Sequence, residues 1–95
     1  MDQKFSDSVE AYEEMDRVIL KGIDRVGLHK YNVVFGQEYA RVRRMIRSAV
    51  ARATSDEIAL NEANRVILPV EDVETIAEAL REFERRTDKV ISEMN

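Results

Sequence analysis

The densest set of chemically capable side chains in this sequence is the run Arg41-Val42-Arg43-Arg44-Met45-Ile46-Arg47. On a helix whose core face is centred on Ile46, Arg41 and Arg44 lie far round from the apolar stripe. Arg43 and Arg47 sit on its flank, and the four form a basic surface. Such a surface either pairs with Glu residues of neighbouring helices or receives phosphate groups. Nothing comparable points to catalysis. His29 is the one histidine, so no second imidazole completes a common metal site. The pairs Glu13/Glu14, Asp56/Glu57 and Glu71/Asp72 are adjacent in sequence. Helix neighbours diverge by about 100°, so these carboxylates form solvated faces or caps and do not converge. There is no Glu-x-x-His pair, no glycine-rich phosphate loop and no serine with a plausible triad. The residues therefore describe a binding protein with no catalytic residue, no metal, no cofactor and no small-molecule substrate.

Charge sharpens that reading. The chain has 95 residues and a net charge of −4, and the sign changes along it. Residues 1–16 carry one Lys against six acids, residues 17–52 nine Lys/Arg against two acids, and residues 53–95 five basic against eleven acidic residues. A basic centre between acidic ends keeps polyanions in play despite the acidic total. Cysteine is absent, which excludes disulfides, thiolate metal sites and a thiol nucleophile. No apolar run is long enough to span a membrane, and the N-terminal residues lack a signal-peptide core. The expected location is inside the cell.

The elements that must carry these residues read as helices. Three Gly, one Pro and 36% charged residues leave little for loops and suit exposed helix faces. A first helix is expected from Ser6 or Asp7 to Val26, capped by Asp7 or Ser8, with Glu10 placed for a capping box. Its stripe is Val9, Tyr12, Met15, Ile19, Ile23 and Val26, Gly27 is a natural stop, and Gly22 weakens the pattern. Residues 28–34 show no clear helical period and are read as a loop. A second helix starts near Phe35–Gln37 with the stripe Tyr39, Val42, Ile46, Ala49, Ala53, Asp56, Leu60 and Ala63. Thr54 with Glu57 also resembles a capping box, so a break there is the alternative to one long helix; the unbroken phase favours the long helix. Residues 64–70 form a connector, and Pro69 ends any helix before it. The last helix, about 71–94, carries Val73, Ile76, Ala77, Leu80, Phe83, Thr87, Val90, Ile91 and Met94 on a heptad-like seam. The chain is thus expected to be a single helical domain.

Helix, loop, long central helix, loop, helix is the element order of the histone fold, and two stretches resemble that family. In the second connector, Arg65 leads the β-branched segment Val66-Ile67-Leu68, and Asp72 follows seven residues later at the start of the last helix. The resemblance implies a clamp between Arg65 and Asp72, which charge-assisted hydrogen bonds would stabilise. Residues 27–35, with Asn32 as a helix cap, look like the first histone loop. Ile67 stands where the family usually has a phosphate-contacting Thr, and the last helix is more than twice the family's usual length.

The resemblance implies an all-α handshake dimer; a three- or four-helix bundle is the alternative. It also implies a homodimer, a homotetramer or a heterodimer, with Tyr39, Val42, Ile46, Leu60, Leu80, Phe83, Val90 and Ile91 at the oligomer interface. Two functions follow. One is architectural binding of double-stranded DNA, at the nucleoid or chromatin, through Arg17, Lys21, Arg25, Lys30, Arg43, Arg44 and Arg47. These would make phosphate contacts without base readout. The other is a helical protein–protein interaction module that binds no DNA.

Overall fold

Asp7 supplies what the start of a helix lacks. Its Oδ1 accepts a hydrogen bond from the Glu10 backbone N–H at 2.9 Å, and α1 follows over Ser8–Val26. Glu10 reaches back as expected, but to the Ser6 N–H (3.2 Å), one residue upstream of the cap. The computed structural model describes residues 5–54 and 65–94.

Gly27 alone separates α1 from α2 (Leu28–Ala53). Its φ of 90° lies where only glycine is unstrained. Its N–H donates to the Ile23 carbonyl at 2.7 Å and its carbonyl accepts from the Tyr31 N–H at 3.0 Å, so one residue closes one helix and opens the next. The loop expected over residues 28–34 is therefore the first two turns of α2. Tertiary packing overrides the β-branched propensity there. Tyr31 and Phe35 are fully buried one turn apart with rings 4.9 Å apart, while Val33 and Val34 face outward.

The long form of α2 is also corrected. The helix ends at Ala53, and Thr54 is extended (φ −148°, ψ 147°). The expectations for Asp56, Glu57, Leu60 and Ala63 fall outside the described residues. The third helix, α3, spans Val70–Met94 with the expected seam facing inward.

Contacts between helices set their directions. Arg52 near the end of α2 meets Asp72 at the start of α3, and Glu38 meets Arg86 further along, so α2 and α3 run antiparallel. Arg17 and Arg25 of α1 meet Glu84 and Asp88 of α3 in the same order, so those two are parallel. The result is an all-α, up–down–up bundle in which every pair of helices packs together.

The core line of α1 is Ser8, Ala11, Met15, Val18 and Gly22, rotated from the expected stripe. Tyr12, Ile19, Ile23 and Val26 pack along its flank. Small residues at the centre bring the backbones close, and the Tyr31 ring lies directly on Gly22. A short clip holds the other end. Ser8 N–H donates to the Val66 carbonyl (2.8 Å), Val66 N–H to Ser8 Oγ (2.9 Å), and Leu68 N–H to the Ser6 carbonyl (3.1 Å). This antiparallel bridge buries Phe5 and Leu68 and fixes the approach to α3.

Of the side chains expected to meet a second chain, those among the described residues are covered within this one. Val42, Ile46, Leu80, Phe83 and Ile91 are each at most 4% exposed, and Tyr39 and Val90 pack half-buried against them. Among the described residues, α1 and α3 both lie on α2 and cover its central stripe.

Candidate anion-binding surface

α2 carries six Lys/Arg and one acid, Glu38. The core residues Tyr31, Phe35, Val42, Ile46, Ala49 and Val50 take one side of the helix. The helical period then turns Lys30, Arg41, Arg44 and Arg47 outward, and all four are exposed. Among the described residues none of the four has a carboxylate partner. Arg43 is exposed too, with its guanidinium 5.7 Å from the Tyr39 ring, a cation–π distance that leaves its charge uncompensated. Glu38 is turned toward α3, where Arg86 donates to it. The outward face of α2 is therefore basic at Lys30 and again from Arg41 to Arg47, with exposed Val33 and Val34 between.

The three cations expected on α1 have a different setting. Arg17 donates to Glu14 (2.7 Å) and Glu84 (3.1 Å), Lys21 to Glu84 (3.2 Å), and Arg25 to Asp88 (3.0 Å). They form a ladder with the acids of α3 along the α1–α3 seam. The hydrogen bond from Arg17 holds the Glu84 carboxyl below its ordinary value, with Lys21 adding to the effect. The bonds to Glu14 and Glu84 in turn push the Arg17 guanidinium further up. The seven cations named from the sequence thus divide into Lys30, Arg43, Arg44 and Arg47 on α2, which have no carboxylate partner among the described residues, and Arg17, Lys21 and Arg25 on α1, which are paired.

The Arg65–Asp72 clamp is replaced by two other pairs. Arg65 donates to Asp7 Oδ2 at 2.6 Å and Arg52 donates to Asp72 Oδ1 at 2.7 Å. The bridge between residues 6–8 and 66–68 turns Arg65 toward the start of α1, and the end of α2 brings Arg52 to the start of α3. Burial pushes the Asp7 carboxyl up. The Glu10 N–H and the Arg65 guanidinium outweigh that and leave it below the ordinary carboxylate range.

Sequence reasoning missed Asp7 as an ion-pair residue and missed the α1–α3 ladder. The ladder had a visible signal: Arg17, Lys21 and Arg25 recur every four residues, as do Glu84 and Asp88. Asp7 had none, because its partner lies 58 residues away. Among the described residues, no group of three or more acids and histidines is placed to hold a metal ion. Nor is any described helix long and apolar enough to cross a membrane.

No protein-family model matches the chain, and no curated protein or solved structure matches it significantly.

Proposed function

We propose that the protein binds double-stranded DNA without sequence preference, through phosphate contacts from the outward face of α2. The observation that carries this reading is the row Lys30, Arg41, Arg44 and Arg47, exposed and without carboxylate partners among the described residues of an otherwise acidic chain. Guanidinium groups recognise phosphate by paired N–H donors and carry no base information in that role. The acidic outer surfaces of α1 and α3 favour an approach from the α2 side alone.

A self-contained three-helix bundle is better supported than a handshake dimer, because α1 and α3 already cover the central stripe. Light scattering on the eluted protein separates the two: a bundle elutes near its 11.0 kDa chain mass, a handshake dimer at twice that. The DNA reading is tested by anisotropy of a labelled short duplex from low to physiological salt. Affinity falls linearly in log salt, and Arg44→Glu with Arg47→Glu abolishes binding. An absence of binding at low salt overturns it.

The second reading, a helical protein-interaction module, draws on Leu20, Leu28 and Val33, which are 61%, 61% and 71% exposed. Failure of the duplex titration leaves that reading standing.

A further inference from the structure

Between the C-terminal half of α2 and the start of α3 lies a cleft of about 390 Å³. Arg41, Arg44 and Arg52 line it from α2, and Asp72 is the one carboxylate among its lining residues. Asp72 is engaged by Arg52, so the cleft keeps the excess charge of Arg41 and Arg44. Met45 and Ile76 supply an apolar wall. The Ser48 hydroxyl, also lining the cleft, has no hydrogen-bond partner among the described residues. Thr75 is less free, since its hydroxyl already donates to the Glu71 carbonyl at 2.9 Å. α3 begins at Val70, two residues before Asp72, so the positive end of its dipole adds to the field.

A neighbouring cleft further along the same groove gives a contrast. It is about 280 Å³ and shares Arg41. There Arg41 and Arg86 face Glu38 and Glu82, so the charges balance. Excess positive charge, a free hydroxyl and an apolar wall coincide only in the first of these two clefts.

We infer that this cleft binds a small organic phosphate. Arg41 and Arg44 clamp the phosphate oxygens, Ser48 Oγ donates to one of them, and the organic portion lies against Met45 and Ile76. The inference goes beyond the DNA reading, with which it shares Arg41 and Arg44, and it stands or falls by a different ligand. A backbone phosphate of DNA has the same head-group chemistry, so the test separates the two sources.

The experiment titrates the full chain with phenyl phosphate and, separately, with inorganic phosphate at fixed ionic strength, following backbone amide shifts by NMR. Saturable binding is expected, tighter for phenyl phosphate, with the largest shifts in α2 and α3 around Ser48 and Ile76. Arg41→Gln is expected to weaken it by about tenfold or more, the loss of a charge-assisted hydrogen bond, and Ser48→Ala by a smaller factor. Arg81 is exposed and lines neither cleft, so Arg81→Gln changes the affinity less than twofold. Non-saturable shifts overturn the proposal, as does an equal loss in Arg81→Gln, which would reduce the site to general electrostatics. A short duplex is then added to the phenyl phosphate complex. Displacement that Ser48→Ala abolishes would assign the cleft to a DNA phosphate and overturn the small-molecule assignment. Retained phenyl phosphate binding with no duplex binding at all would sink the DNA reading and leave the cleft intact.

Discussion

A methyl group added at Gly22 would stand 2.3 Å from Tyr31 Cε2, closer than carbon atoms approach. Alanine is the better helix former by about 1 kcal/mol, so propensity alone recommends Gly22→Ala. Packing opposes it more strongly. Tyr31 is fully buried against Phe35, with no room to retreat, and overpacking of this kind costs about 1–3 kcal/mol. Gly22→Ala is therefore expected to lower the urea midpoint. At Gly36 nothing lies within 4 Å of the new methyl, so Gly36→Ala raises the midpoint by up to about 1 kcal/mol of stability. If both changes shift the midpoint the same way, the close α1–α2 contact is wrong. The Tyr31 hydroxyl makes a related case. Burial pushes its pKa up to about 12, and no hydrogen bond of good geometry reaches it among the described residues. Tyr31→Phe removes an unsatisfied polar atom and keeps the ring. It is expected to leave the melting temperature unchanged or raise it; a clear drop would show that the hydroxyl has a partner.

At the scale of the element, the clip between residues 5–8 and 65–68 concentrates several functions on Asp7. One carboxylate caps α1 through Oδ1 and receives Arg65 on Oδ2. Its folded pKa lies below the unfolded value, so its stabilisation is fully present above about pH 4 and fades as the pH falls through the folded value. Asp7→Ala is expected to cost about 1–2 kcal/mol at pH 7, the range for losing an N-cap. That deficit shrinks as urea midpoints are compared from pH 7 down toward pH 2.5. Equal deficits at both ends would mean that the carboxylate charge plays no part. The same element shows where sequence reading succeeds and where it stops. All of α3 was legible, because nine seam positions keep one helical phase and acids mark its start. The start of α2 was not: Tyr31 looks like one aromatic in a β-branched stretch until Gly22, nine residues earlier, is known to receive it. The partner of Arg65 was invisible for a like reason. Sequence spacing pointed seven residues forward to Asp72, while the chain folds back 58 residues to Asp7.

Across the whole molecule the two sets of cations occupy opposite sides. The ladder of Arg17, Lys21 and Arg25 lies on the α1–α3 seam, and in a triangular bundle that seam is the side away from the outward face of α2. Composition already showed the basic centre of the chain, but only the packing separates cations held by acids from those left to bind. The division fixes how charge changes should act on DNA. Glu84→Gln removes the acid that Arg17 and Lys21 share and takes away one negative charge, leaving Arg17 on Glu14 and Lys21 3.7 Å from Asp88. Exposed pairs of this kind contribute about 0–1 kcal/mol each, so the bundle stays folded. Two outcomes are distinct in the salt dependence, whose slope in log–log form counts phosphates neutralised, about 0.9 for each. If DNA touches only α2, the partly released α1 cations stay out of reach; the slope is unchanged and affinity rises slightly from the lower repulsion. Arg47→Gln, by contrast, lowers the slope by about one. A steeper slope in Glu84→Gln would mean that the duplex wraps past α2 onto α1, and the one-faced binding surface would have to be abandoned. The expected result is parallel salt plots for wild type and Glu84→Gln, and a shallower one for Arg47→Gln.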